Sequence, residues 1–386
     1  MRAWLEIDLE AVSHNYDTVR QRIGQTGIIA VVKSDAYGHG IETMAKLLDK
    51  KGVLAFAVIS LDEAIRVRRA SGVPVLILGY MDDAEIEEAI ACGFVLSLYD
   101  IGLAPIYESI AVKLGRKAIV HLKVETGLNR LGVQPEEAQM LLKNPQLFPH
   151  LKIESVYSHL STSSNRDENL VQLDNLEQIL LKSYEGEGRH PIHMSNSHSL
   201  GNFPEGFMSA VRLGLALYGV DEVLPNLTPS MQCKSVIIQR KKVKAGQGIS
   251  YNKLFRAEKD MEVGVIGIGY AEGLSQALTG KANVLVNGRP TPILGQICMN
   301  LCVINLTDIP AERGTEVVVI GSQKAPDGTV SQIKVSDVAA AAGIRHHEIL
   351  TRFGLALPRQ YLNDPFASAE QPVRTFALPA EALVGA

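Results

Sequence analysis

The chain has 386 residues, 46% of them hydrophobic and 21% charged, with a formal net charge of −4 at pH 7. That balance is ordinary for a globular protein, and the interspersed charges exclude the basic footprint of a nucleic-acid binder. No apolar run approaches the roughly 18 residues of a membrane helix, so a small-molecule partner is expected.

The opening Met1-Arg2-Ala3-Trp4-Leu5-Glu6-Ile7-Asp8 alternates charge with apolar residues and does not read as a secretory signal. A cytoplasmic protein without membrane attachment is therefore expected. From residue 28 short apolar runs alternate with amphipathic ones. Strands are predicted over 28–33, 55–59, 75–78, 94–98, 118–124, 153–159, 192–196 and 210–213. Between them, apolar residues three and four apart predict helices over 41–48, 61–69, 84–91, 135–142 and 168–181. About eight βα units is the count at which a parallel sheet closes into a (β/α)8 barrel.

Near residue 226 the rhythm changes to alternating strand patterns, over 235–240, 263–268, 283–286, 301–306 and 316–320. Turn signals separate them, as at Asn287-Gly288-Arg289-Pro290 and Pro326-Asp327-Gly328. The expected organisation is a barrel over 1–226, a mainly β domain without long helices over 227–362, and an extended tail over 363–386. Cys92, Cys233, Cys298 and Cys302 have no metal-knuckle spacing and read as buried free thiols, with no metal expected.

Chemistry gathers at the predicted strand ends. Lys33 closes the first strand and precedes Ser34-Asp35-Ala36-Tyr37-Gly38-His39-Gly40, which reads as a flexible turn. His159 closes the sixth, Asn196-Ser197 the seventh, and Arg212-Leu213-Gly214 the eighth. Singly, each has an ordinary reading: a solvated lysine, a hydrogen-bonded core histidine, a helix N-cap. Together at one barrel mouth, an amine, an imidazole, small donors and a guanidinium suit pyridoxal 5'-phosphate (PLP) held by a lysine Schiff base.

The segment Ala30-Val31-Val32-Lys33-Ser34-Asp35-Ala36-Tyr37-Gly38-His39-Gly40 resembles the cofactor-attachment signature of the alanine racemases. Collinear matches follow at 123–132, 195–197, 211–219, 249–251, 267–273 and 298–299, so the likeness spans about residues 1–362. The resemblance implies a PLP-binding barrel followed by a β domain, in a homodimer with shared active sites. It implies interconversion of L- and D-alanine, which supplies D-alanine for peptidoglycan. Lys33 would bind the cofactor and act as acid/base on one face of the substrate Cα, and Tyr251 of a second copy on the other. Two groups are needed because inversion removes the proton from one side and returns it to the other.

A phenol needs cationic help to act as a base near neutrality, and the resemblance assigns that help to His159 and the Arg212 environment. It places Arg212 against the pyridine nitrogen, where a guanidinium keeps that nitrogen unprotonated. The phosphate would lie against Asn196-Ser197 and the amides of Gly214 and Leu215, with His347 where relatives carry a phosphate-binding tyrosine. Tyr37 would pack or hydrogen-bond at the cofactor, Arg130 would contact its ring hydroxyl side and the substrate, and Met299 would offer its amide to the substrate carboxylate. Tyr270 matches an entry-corridor residue. Lys123 matches a lysine that relatives carbamylate, a change that would turn its repulsion of Arg130 into attraction.

Departures from the pattern are Asn300 where an aspartate is usual, His347 for tyrosine, Gln296 for a common arginine, and Arg345 near an apolar corridor position. They leave open a racemase of another amino acid such as serine, or one of broad specificity. A decarboxylase on the same barrel would face the pyridine nitrogen with an acid, which Arg212 opposes. A non-catalytic PLP carrier would lack the β domain and Tyr251.

Overall fold

The computed structural model describes residues 1–183, 190–220 and 224–367. Most of the expected tail lies outside these. The chain starts with strand β1 (Ala3–Asp8) and helix α1 (Leu9–Ile23), whose N-terminus is capped by Asp8 accepting from the amides of Glu10 and Ala11 at 2.9 and 3.3 Å. Leu9, Val12, Tyr16, Val19 and Ile23, three or four apart, form the buried stripe of α1.

Eight parallel strands then close a barrel: β2 (Gly27–Val31), β3 (Ala55–Val58), β4 (Val75–Ile77), β5 (Val95–Leu98), β6 (Ala118–Lys123), β7 (Leu151–Tyr157), β8 (Ile192–Asn196) and β9 (Ala210–Leu213). Closure runs through β2 and β9, with Gly27 to Ala30 opposite Ala210 to Leu213. Strands such as β3 are buried at every position, because the barrel interior covers one face and the helices the other. The expected α/β barrel is present, with small shifts of strand ends. Strand β2 stops at Val31, so Lys33 starts the following turn instead of ending the strand.

The second unit is mainly β, as expected. Its strands are β10 (Met231–Val243), β11 (Gly248–Ile249), β12 (Phe255–Arg256), β13 (Met261–Ile266), β14 (Asn283–Val286), β15 (Arg289–Leu294), β16 (Cys302–Asn305), β17 (Glu316–Lys324), β18 (Val330–Ile333) and β19 (Arg359–Leu362). Antiparallel pairing passes from β10 to β13, β16, β15, β14, β17 and back to β10, a closed ring. Two departures from the sequence reading matter. Strand β1 pairs with β10 and β19, so the first residues of the chain complete this sheet and not the barrel. The helices Val335–Ala342 and His346–Ala356 also stand in this unit, and the second of them packs toward the barrel mouth. Among the cysteines only Cys233 and Cys302 are buried; Cys92 is exposed, at the end of helix Asp83–Ala91, where its side chain meets solvent. No described helix is long and apolar enough to cross a membrane.

Candidate active site

The barrel mouth holds a cavity of about 530 Å³, within the range of small-molecule sites. Lys33, Lys123, Arg130, Arg212, His159, His198 and His347 line it, and among the described residues no carboxylate does. Such a wall attracts anionic ligands.

Lys33 enters from a turn that the sequence reading took as flexible. Instead Ser34, Asp35 and Ala36 sit at φ 54, 53 and 55°, and Tyr37 at φ 53°, one turn of left-handed helix made of non-glycine residues. At about 1–2 kcal/mol per residue, four in succession cost roughly 4–8 kcal/mol. The turn is held by hydrogen bonds: Ala36 N–H to Val32 O at 2.8 Å, Gly40 N–H to Asp35 O at 2.9 Å, and Ile41 N–H to the Asp35 carboxylate at 2.9 Å. Burial and then the nearby Arg130 lower the pKa of Lys33, against a weaker opposite pull from Glu63. The amine is thereby moved toward its nucleophilic free-base form.

Arg212 lies under the cavity and is buried. Its terminal nitrogens donate to the carbonyls of His193, Ser158 and Met194 at 2.9, 2.7 and 3.0 Å. They also contact Nδ1 of His193 at 2.7 Å and Nδ1 of His159 at 3.0 Å. A guanidinium only donates, so both imidazoles accept through Nδ1, and the proton is assigned to Nε2 of each. Nε2 of His193 then meets Nδ1 of His121 at 2.9 Å. The result is a one-way chain from Arg212 to His193 to His121. Burial, followed by the charge of Arg212, holds His159 and His193 well below the ordinary imidazole pKa. Burial lowers Arg212 itself to about 10, so it stays cationic at neutral pH. Its contacts are all neutral acceptors.

Tyr37 is buried with its ring 5.5 Å from that of Tyr218 and 5.6 Å from that of His347. Its hydroxyl explains Gly214, where a Cβ would stand 2.5 Å from Tyr37 Oη. Ser197 Oγ accepts from the amides of Gly214 and Ala216, each at 3.1 Å, leaving its own hydroxyl proton to donate. Leu215 lines the cavity beside it. Asn196 donates to Ser163 Oγ at 2.6 Å, while its Oδ1 is buried without a hydrogen-bond partner. Lys123 sits with Nζ 5.8 Å from the Tyr157 ring centroid. Burial, then Arg130 and Arg212, lower its pKa to about 8. His347, at the rim in the first turn of helix His346–Ala356, is pushed to about 4 by partial burial and then by His198 and Lys33.

These features fit PLP. An amine whose pKa is lowered, a buried guanidinium and a hydroxyl with a spare proton are what an aldehyde and a phosphate on one aromatic ring require.

Three expected residues stand apart from this cavity. Tyr251 is 67% exposed, Met299 56% and Tyr270 42%, all on the second unit. They form one surface: Ser250 Oγ donates to Gln296 O at 2.6 Å, Tyr270 N–H to Cys298 O at 3.1 Å and Ala271 N–H to Met299 O at 2.9 Å. Asn300 donates to Glu272 Oε1 at 2.8 Å, and Glu272 also pairs with Arg2 at 2.5 Å. An amide fits against that carboxylate where an aspartate would repel it. Gln296 Oε1 receives Asn252 Nδ2 at 3.4 Å, supporting the Tyr251 loop. Arg345 is exposed and does not line the cavity. The sequence reading missed His121, His193 and Tyr157, although polar residues inside otherwise apolar strands are a visible signal. It also missed Glu63, Arg66 and Arg359, for which the sequence holds no signal.

The pattern described as "Alanine racemase, N-terminal domain" matches residues 7–222, and "Alanine racemase, C-terminal domain" matches 230–361. The alanine racemase of Clostridium novyi is 30% identical over 378 residues, covering 94% of this chain and 95% of its own length. The crystal structure of alanine racemase from D-cycloserine-producing Streptomyces lavendulae is similar at TM-score 0.87 and 30% identity, covering 94% of this chain and 97% of that one. That of Bartonella henselae, with covalently bound pyridoxal phosphate, gives TM-score 0.84 at 28% identity over 94% of this chain and 100% of the other. With both halves matched and the fold shared over 94% of its length, the chain belongs to the alanine racemase family.

Proposed function

We propose that L- and D-alanine are interconverted here by two acid/base groups on opposite faces of the substrate, Lys33 from the barrel and Tyr251 from a second copy of the chain. The activity itself is that of a PLP-dependent amino-acid racemase. When bound, PLP supplies the electron sink that acidifies the substrate Cα–H.

Lys33 would hold the cofactor covalently and, once displaced by the substrate amine, would move the proton on its own face. Its lowered pKa suits that task, since an acid/base group works best near the ambient pH. Arg212, cationic and donating only, would stand against the pyridine nitrogen and leave it unprotonated, which would keep negative charge close to Cα and favour reprotonation over side reactions. Ser197, Asn196, Tyr37, Gly214, Leu215 and His347 would hold the phosphate end. Arg130 and Met299 orient the substrate, and Tyr270 borders its entrance. A carbamate on Lys123 would hold Arg130, and the pKa of about 8 makes the amine available for it. In this reading the barrel takes 1–226 and the second domain 227–362, with β1 completing the latter's sheet.

The single observation that carries this reading is the cavity lined by both Lys33 and a buried Arg212 bonded to neutral acceptors, with no carboxylate among its described lining residues. Support for a homodimer comes from the exposed group Tyr251, Leu254, Tyr270, Met299 and Leu301, an apolar patch of the kind that marks association. The test is incubation of the purified protein with L-alanine, and separately with L-serine, in deuterated water. D-alanine carrying deuterium at Cα is expected. Faster turnover of serine would move the assignment to the other substrate, and Lys33→Ala should remove both bound-cofactor absorbance and activity.

A further inference from the structure

The left-handed turn after Lys33 has no local reason for its shape, since Ser34, Asp35, Ala36 and Tyr37 all carry side chains. Such a run persists only where the surroundings over-determine it. Part of that determination comes from the barrel. The Glu63 carboxylate accepts from the amides of Asp35 and Ile59 at 3.2 and 3.0 Å, and Arg66 donates to Asp35 Oδ1 at 2.7 Å.

The rest comes from the far end of the chain. Arg359 on β19 pairs with Asp35 Oδ2 across 324 residues of sequence. The same guanidinium donates through Nε to Gly38 O at 2.7 Å and through a terminal nitrogen to Gly354 O at 2.6 Å. Both charged side chains are largely buried, 19% and 13% exposed, so the pair is little screened. Beside it Tyr361 Oη donates to His39 O at 3.1 Å. Gly38 and Gly354 meet so closely that a Cβ on Gly354 would stand 2.0 Å from Gly38 Cα. The helix carrying Gly354 is the one that brings His347 to the cavity rim.

We infer that Arg359 is a positioning residue for Lys33: gripping Asp35 and the Gly38 carbonyl from the second unit, it fixes the left-handed turn that sets where the lysine side chain points. Asp35, Gly38 and Gly354 do not line the cavity, so Arg359 acts through the turn and not on the ligand. The inference rests on Lys33 being the cofactor-bearing residue.

The test uses the cofactor-loaded protein and its Arg359→Gln and Arg359→Lys variants. Lys244→Gln serves as control, because it breaks an exposed ion pair with Asp260 in the same unit. Borohydride reduction and peptide mass spectrometry first locate the attachment: label on Lys33 upholds the underlying assignment, and label elsewhere overturns that assignment instead of the role of Arg359. With Lys33 labelled, Arg359→Gln should lose about ten- to a hundredfold in kcat, the scale of a small misplacement of a reacting group, with KM within about threefold. It should also shed cofactor faster on dialysis and shift the pH midpoint of the bound-cofactor absorbance. Arg359→Lys keeps a charge beside Asp35 without the fork and should recover part of the kcat. A lower melting temperature with kcat, midpoint and cofactor retention unchanged would overturn the inference, since a plain strut behaves that way. Should Arg359→Gln not fold, Asp35→Asn weakens the same pair while keeping an acceptor for Ile41 N–H, and the same readouts decide.

Discussion

The barrel mouth holds most of the expected functional residues and the exposed face of the second unit only Tyr251, Met299 and Tyr270, and the two are built in opposite ways. At the mouth Arg212 is buried with five contacts to neutral acceptors, and Lys33 sits on a turn locked from both units. On the other face Tyr251 and Met299 are largely exposed, and only the loops beneath them are tied together. The contrast follows from the chemistry. Depressed amine and imidazole pKa values need desolvation and fixed charges, which one folded chain supplies. Inversion at a carbon calls for a second acid/base group on the opposite side of the substrate, and on our reading Tyr251 of a second copy supplies it. On our reading each chain therefore carries a finished half-site and a half-site for its twin.

The sharpest way to break that comparison is to separate the two halves. Tyr251→Phe should lose roughly 10²–10⁴-fold in turnover, the usual worth of a general acid/base, while still binding cofactor. Lys33→Ala should be inactive and colourless. Co-expressed, the two inactive variants should regain roughly a quarter of native activity, because random pairing makes half the dimers mixed and each mixed dimer has one intact site of two. No recovery in a population shown to contain mixed dimers would mean that Lys33 and Tyr251 do not serve one site across an interface.

A smaller effect is expected within the buried half. Arg212→Gln offers two donors for five acceptors, so three are left bare at about 1–3 kcal/mol each, offset in part by relief of a buried charge. We expect a net loss of about 2–5 kcal/mol in the apoprotein, read as a lower urea midpoint. With the charge of Arg212 gone, the pKa values of His159 and His193 should rise, visible as imidazole resonances that titrate at higher pH. An unchanged midpoint would show that the arginine is not the hub its contacts describe.

What could be read in the sequence divides along the same line. Strands such as Ala55–Val58 are buried on both faces and therefore spelled as unbroken apolar runs, and the chemistry of Lys33, His159, Ser197 and Arg212 stands at their ends. The stripe of α1 is equally legible from its spacing and from Asp8 ahead of it. The shape of the lysine turn was not legible at all. Its four positive φ angles oppose local preference and are imposed by Glu63, Arg66 and Arg359, partners up to 324 residues away. Strand β1 looks like a strand by alternation, yet nothing local says that its partners are β10 and β19. The exposure of Tyr251 has the same character: its spacing is visible, its destination is not.

The finest probe of the buried half is Lys123, whose folded pKa of about 8 lies below the ordinary 10.5. Between those values the unfolded chain holds a proton that the folded chain has released. Stability therefore rises with pH across that window, by at most about 1.4 kcal/mol per pH unit for one proton. Below pH 8 both states are protonated and the penalty of the buried charge is constant. Other groups contribute to the pH dependence, so the quantity to read is the difference between the native apoprotein and Lys123→Met, in urea midpoints from pH 7.5 to 9.5 in carbon-dioxide-free buffer. That difference should grow in favour of the native protein as pH rises. Added bicarbonate should then flatten it, because a carbamate replaces the titrating amine with a fixed anion that attracts Arg130. A difference that is flat in both buffers would mean that Lys123 keeps its proton and is a spectator at the mouth.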